Sequence, residues 1–194
     1  MRRRQDEFDP RAPKALADWD RRHNLFFTTV YEIPFGADLH GLAAGALKGW
    51  QVSGILSMQS GGWFQAGVGA DISNMGSRRT LLANRVGDGR LPTDQRTLDR
   101  WFDTSAFKLP AQYVLGTGGF NILDADGVIN VDMGLSKRWS FTESQSLQFR
   151  AEFFNLANHP NFGVPGGSVD SGSFGKVTSA STGRQIQFGL KYAF

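Results

Sequence analysis

Arg184-Gln185-Ile186-Gln187-Phe188-Gly189-Leu190-Lys191-Tyr192-Ala193-Phe194 closes the chain, and its residues divide by parity. Ile186, Phe188, Leu190, Tyr192 and Phe194 share one face with Arg184, while Gln185, Gln187, Gly189, Lys191 and Ala193 hold the other. A period of two marks a strand whose faces meet different surroundings, because successive side chains leave a pleated backbone on opposite sides. The same chemistry recurs upstream. Leu147, Phe149, Ala151 and Phe153 oppose Gln148, Arg150, Glu152 and Phe154, and Trp50, Val52, Gly54, Leu56 and Met58 oppose Gln51, Ser53, Ile55, Ser57 and Gln59. Ile129, Val131, Met133, Leu135, Trp139 and Phe141 alternate with Asn130, Asp132, Gly134, Ser136, Arg138 and Ser140, and Leu25, Phe27, Thr29, Tyr31 and Ile33 make a fifth, weaker case. The pattern predicts an all-β antiparallel fold with five strands at 22–34, 48–60, 128–141, 145–155 and 183–194.

Alternation alone also suits a soluble sandwich, so other features must decide what the apolar face meets. Globular strands commonly run about five or six residues, whereas these run to about 11–14, the length a tilted strand needs to cross a bilayer. The polar faces, with Arg150, Glu152, Gln185, Gln187 and Lys191, suit a water-filled lumen and equally a solvent face. Direction is more telling. With the chain ending on the periplasmic side, Thr142-Glu143-Ser144 becomes a short inner turn, 35–47 a second inner turn, and 61–127 and 156–182 long outer loops. Tyr31, Trp50, Trp139 and Phe141, joined by Phe35, Tyr192 and Phe194, then gather at the inner ends as an aromatic girdle. Such rings favour headgroup depth because each has an apolar body and, in Tyr and Trp, a polar tip. A soluble sheet has no reason to collect them at one end.

Composition narrows the rest. The 194 residues include no Cys, so disulfides, thiol catalysis and Cys-built zinc sites are excluded. The 24 Gly and 7 Pro read as turn-rich β structure. A net charge of +3, with no basic block after Arg2-Arg3-Arg4, argues against nucleic acid as a partner. The amino end has basic residues but no apolar core of a signal peptide, since Gln5-Asp6-Glu7 follow. The uncharged stretch 49–70 is too rich in Gly, Ser and Gln for a membrane helix. Five strands cannot close a cylinder when the smallest membrane barrels use about eight, and an open edge in hydrocarbon strands its backbone donors and acceptors. The expectation is therefore a carboxyl-terminal segment, with residues 1–21 a polar lead-in or outer loop and the partner strands ahead of Met1.

Four motifs occur in order: Asp18-Trp19-Asp20-Arg21-Arg22-His23-Asn24, Gly49-Trp50-Gln51-Val52-Ser53-Gly54, Trp101-Phe102-Asp103-Thr104-Ser105-Ala106-Phe107, and the run 149–162 reading FRAEFFNLANHPNF. Together they resemble the last part of the Oar-like branch of TonB-dependent outer-membrane receptors, the carboxypeptidase-regulatory-like domain-containing family. The likeness covers nearly the whole chain but only the final quarter of a barrel of about 22 strands. It implies localisation in the outer membrane and energy-coupled uptake of a large or scarce solute. The implied partners are outer-membrane lipid, the missing amino-terminal strands and plug, the barrel assembly machinery, and a periplasmic TonB protein acting through that plug. Leu190, Tyr192 and Phe194 look like the terminal signal that the assembly machinery reads. No segment resembles the plug.

Other chemistry is weaker. His23, His40 and His159 stand apart without metal-ligand spacing, so no metal is expected. Asp124-Ala125-Asp126-Gly127 opens like a calcium loop but lacks the later ligands, and a turn accounts for it. Gly116-Thr117-Gly118-Gly119 lacks the strand, helix and Lys that phosphate binding requires. Glu32 and Glu152 are the only inward carboxylates, and no Ser sits in a nucleophile elbow, so neither enzymatic activity nor a cofactor is expected. Arg150 and Glu152 can touch a plug or passing solute, or simply brace the wall through cross-strand pairs. The long loop 61–127 carries Trp63, Phe64, Trp101 and Phe102, which are candidate ligand contacts; it is expected to fold back over the mouth, with local strands near 63–68 and 101–107. Against the receptor reading stand a secreted or surface β-sheet adhesion module that binds carbohydrate through those aromatics, and a small passive porin, which the strand count disfavours.

Overall fold

A computed structural model describes residues 15–35, 40–74 and 81–194. Residues 1–14 of the expected lead-in, 36–39 of the inner turn and 75–80 of the long loop lie outside the described residues. In chain order the elements are β1 (Asn24–Glu32), the short helix α1 (Gly41–Leu47), β2 (Trp50–Gln59), and six two-residue strands: β3 (Trp63–Phe64), β4 (Gly67–Val68), β5 (Leu81–Leu82), β6 (Asn84–Arg85), β7 (Phe107–Lys108) and β8 (Leu123–Asp124). Three long strands follow, β9 (Val128–Ser140), β10 (Ser146–Phe154) and β11 (Gln185–Ala193). The five long strands lie inside the spans expected from alternation but are shorter by up to two residues at an end, so that four of them run 9 or 10 residues and only β9, with 13, has the expected length of about 11–14.

They form one antiparallel sheet in the order β1-β2-β9-β10-β11. Its register keeps the two faces separate across every pair. Leu25, Phe27 and Tyr31 face Met58, Leu56 and Val52; Val52, Leu56 and Met58 face Leu135, Val131 and Ile129. Leu147, Ala151 and Phe153 sit between Trp139, Leu135 and Met133 on one side and Tyr192, Phe188 and Ile186 on the other. A slip of one residue anywhere would send a whole strand's apolar set to the polar face, so the hydrophobic pattern itself specifies this register. Phe141 and Gln145 close the β9–β10 hairpin with an amide-to-carbonyl bond of 2.9 Å.

The outer end of the sheet is stapled by the asparagines of the 149–162 run. Asn155 adopts φ 50°, a left-handed conformation that Asn tolerates, and its side chain accepts from the His159 amide at 2.9 Å and donates to the His159 carbonyl at 3.0 Å. The Asn155 amide donates to Asp132 Oδ1, the Arg184 amide to Asn158 Oδ1, and the Ile129 amide to Asn161 Oδ1. Backbone donors at the adjoining ends of β9 and β11 are thus taken by asparagines of this motif, and the donor that follows β10 is taken by Asp132 of β9.

The remaining described residues form a second compact unit, built from 15–22, 60–74, 81–127 and 162–181. Strands β3 and β8 pair, as do β4 with β5 and β6 with β7. The expected local strand near 63–68 is present as β3 and β4. The one near 101–107 is mostly absent, because Asp103 caps a 3₁₀ turn at Thr104–Ala106, accepting from the Ser105 amide, and extended pairing begins only at Phe107. Gly116 has a physical reason to be glycine: a Cβ there would collide with the Leu82 carbonyl oxygen. The core of the unit holds Phe64, Ala66, Ala83, Trp101, Phe102, Ala106, Phe107, Leu123 and Ala125. Phe102, only 2% exposed, meets Phe64, Phe107 and Phe174 edge-on with ring centroids 5.2–5.8 Å apart.

Candidate functional site

The sheet has no core of its own on its apolar side. Phe188 is 73% exposed and Leu190 70%, and Leu25, Phe27, Tyr31, Ile129 and Ile186 are exposed with them. A surface of this kind is incompatible with water as its sole neighbour and is well matched to hydrocarbon.

At one end of that face the backbone brings together the residues expected to form the girdle. Tyr31 ends β1, Trp50 begins β2, Trp139 lies near the end of β9, and Phe141 follows it. Tyr192, near the end of β11, stacks on Phe194 with centroids 5.9 Å apart. Leu190 lies on the same strand and face as Tyr192, so Leu190, Tyr192 and Phe194 form one exposed apolar row at the edge strand.

Lys137 interrupts this face, a residue that alternation passed over. Its register partners are Trp50 and Phe149, both in the apolar set, yet Lys137 is only 1% exposed. Its Nζ donates to the Ala46 carbonyl at 2.7 Å and the Lys48 carbonyl at 2.9 Å, and it stands 5.1 and 5.2 Å from the ring centroids of Trp50 and Trp139. Those two indoles also donate, Trp50 Nε1 to the Ala46 carbonyl at 2.9 Å and Trp139 Nε1 to the Gly45 carbonyl at 2.8 Å. Carbonyls in the last turn of a helix lack intrahelical partners, and here the sheet's apolar face supplies the donors. The charge is balanced by dipoles and π faces rather than by a carboxylate. Only a search for the odd cation within an apolar row would have flagged it.

The opposite face carries Arg150, Glu152, Gln185, Gln187 and Lys191 together, as parity implies. Cross-strand ion pairs do not brace it in the way considered above: Arg150 is flanked by Ser136 and Gly189, and Glu152 by Gly134 and Gln187. Two hollows mark this face. One of about 700 Å³, near the end where β2 starts, is lined by Glu32, Gln51, Ser136, Arg138 and Gln148 and also reaches Lys48, Trp50 and Lys137 from the other face; Arg138 donates to Ser146 Oγ at 3.1 Å. A smaller one of about 160 Å³ includes Ser53, Ile55, Asp132, Gly134 and Glu152. Glu32 and Glu152 therefore line separate hollows, on strands with two others between them, and Asp132, left out of the inward carboxylates expected from sequence, shares the smaller hollow with Glu152.

The loop aromatics part company with expectation. Phe64, Trp101 and Phe102 are buried in the core of the second unit, which corrects their reading as ligand contacts: rings that exclude water from a core have no face left for a solute. Trp101 also donates its indole N–H to the Asp124 carbonyl at 3.0 Å. Trp63 stays partly exposed, with the Arg22 and Arg90 guanidiniums 5.0 and 5.7 Å from its ring centroid. Asp124 is held by both terminal nitrogens of Arg96, at 2.8 and 3.2 Å, and Asp126 accepts from the Gly127 amide, so the run 124–127 behaves as an ion-paired strand end and turn. Asp170 accepts from the Gly69 and Ala70 amides at 2.9 Å and from Ser168 Oγ. The Gly69 amide above all, with Ala70 and Ser168, holds its carboxyl below the usual carboxylate range against an opposing contribution from burial. Among the described residues no group of three or more His, Asp or Glu could hold a metal ion, and no helix is long and apolar enough to cross a membrane.

A family model described as an outer membrane beta barrel domain matches residues 2–187. No curated protein and no solved structure matches the chain.

Proposed function

The chain belongs to the outer membrane beta barrel domain family and resides in the outer membrane, and from that premise we propose that it forms the closing wall of a TonB-dependent, Oar-like receptor. In this reading the apolar face meets lipid tails, the face with Arg150, Glu152, Gln185, Gln187 and Lys191 lines the lumen, and strands beyond β1 and β11 complete the cylinder. A plug engaged by a periplasmic TonB protein occludes the lumen and is pulled to admit a large or scarce solute. The barrel assembly machinery recognises Leu190, Tyr192 and Phe194. The protein binds and transports rather than catalyses, and uses no cofactor.

The observation that carries the receptor reading beyond a bare barrel is the ordered set of four motifs along one chain. Each has a place in the fold: the start of β1, the start of β2, the core of the second unit, and the asparagine staple at the end of β10. The carbohydrate-binding alternative loses its main support with the burial of Phe64, Trp101 and Phe102.

The test is uptake in the parent cell. Accumulation of labelled solutes is compared in wild-type cells, cells lacking this gene and cells depleted of TonB protein. The reading expects a solute whose accumulation falls in both altered strains and stops with a protonophore. A solute lost without this gene yet still entering freely after TonB depletion would indicate a passive pore and overturn it.

A further inference from the structure

We propose that α1, which precedes β2, is a membrane-interfacial foot: it lies on the outward, apolar face of the sheet, latched by Lys137, and its free side settles among phospholipid head groups of the periplasmic leaflet. The proposal rests on outer-membrane residence and on the lipid-facing wall and strand direction of the reading above, and is independent of energy-coupled uptake.

The latch comes first. Three donors from the apolar row, Lys137 Nζ and the Trp50 and Trp139 indole nitrogens, converge on the carbonyls of Gly45, Ala46 and Lys48 at 2.7–2.9 Å. A turn leaving a barrel wall toward the periplasm would take its hydrogen bonds from water. This one takes them from the surface that faces lipid, which places the turn against the outside of the wall. It also accounts for a lysine in a row otherwise apolar, since a cation at the edge of the hydrocarbon must reach dipoles or the interface.

The partner follows from what α1 exposes. Residues Gly41–Leu47 carry no charge, and Leu47 and Phe35 are exposed. A seven-residue helix is not stable alone in water, and deeper in hydrocarbon the N–H groups of its first turn, which no helix pairs internally, would go unsatisfied. Only the headgroup layer offers apolar contact and hydrogen bonds at once, which is also the depth that the neighbouring Trp and Tyr residues favour.

Because the chain has no cysteine, a single Leu47→Cys substitution can carry an environment-sensitive fluorophore, with Thr93→Cys as an exposed reference. The complete barrel, with any cysteine outside this chain replaced by serine, is reconstituted in phosphatidylethanolamine–phosphatidylglycerol vesicles and quenched either by aqueous iodide or by lipids bearing a nitroxide at headgroup depth. The label at 47 is expected to be quenched several-fold more by the lipid nitroxide, and the label at 93 more by iodide. Adding Lys137→Met should raise iodide access at 47 several-fold while the β circular dichroism stays unchanged. If that variant does not form the sheet, Trp139→Phe, which removes only an indole donor, should give the same shift. Iodide access at 47 equal to that at 93, or no change on releasing the latch, would overturn the proposal.

Discussion

The two units of this chain reverse the usual relation between pattern and burial. In the sheet, apolar residues recur every second position and yet Phe188 and Leu190 remain exposed; in the unit of 60–127 and 162–181, no period is visible and yet Phe102, Leu123 and Ala83 are sealed in a core. The periodic region is patterned toward a solvent that is not water. The aperiodic one makes its own interior from short strands, a 3₁₀ turn and edge-on rings. Hydrophobic periodicity thus reports that two faces meet different media, and burial within the chain is a separate matter.

The largest effect should come from emptying the core. Phe102→Ala removes a ring that touches Phe64, Phe107 and Phe174, and substitutions of this kind cost about 3–5 kcal/mol. Hydrogen exchange should then accelerate at amides of 63–125 while β9 and β10 keep their protection. Loss of protection in both units together would break the distinction between them.

Next is the lipid-facing row. Phe188→Arg, near the middle of β11, should cost about 2–4 kcal/mol of folding stability in a bilayer, against within about 0.5 kcal/mol for Gln187→Arg on the other face. Urea unfolding of the vesicle-inserted protein measures both, and equal costs would deny that the faces differ.

A smaller effect is expected at the asparagine staple. Asn155→Ala leaves the His159 amide and carbonyl without their partner and places a Cβ residue without a polar side chain at φ 50°, a loss of about 1–3 kcal/mol. Proteolytic nicking near 156–161 should appear in this variant and not in Asn155→Asp, which keeps the acceptor.

Acid should affect the second unit mildly. The Asp170 carboxyl is held below its unfolded value, so its contribution is fully present above the unfolded pKa and fades as pH falls through the lower folded one. Exchange protection around 67–70 and 168–170 should weaken on acidification below about pH 4, and Asp170→Asn should flatten that dependence.

How much of this was readable beforehand follows the same division. The five strands and their two faces were legible because a pleated backbone writes its environment into every second residue. Lys137 was not: a parity count sees residue type, whereas its role depends on carbonyls of α1 some ninety residues earlier in the chain. The buried state of Trp101 and Phe102 was hidden for a related reason. Their partners Phe162 and Phe174 arrive from a different loop, and no local spacing announces contacts between distant segments. The motif 101–107 was recognisable as a signature, but its physical role as core became visible only in three dimensions.

The central claim, that lipid wets the apolar face, is tested most directly by a spin-label scan of residues 185–191 in phospholipid vesicles. Collision with oxygen, which partitions into hydrocarbon, is compared with collision with a water-soluble nickel chelate. Oxygen access should peak at 186, 188 and 190, and nickel access at 185, 187, 189 and 191. Equal access to the chelate at both parities would show that water bathes the two faces alike and contradict the account.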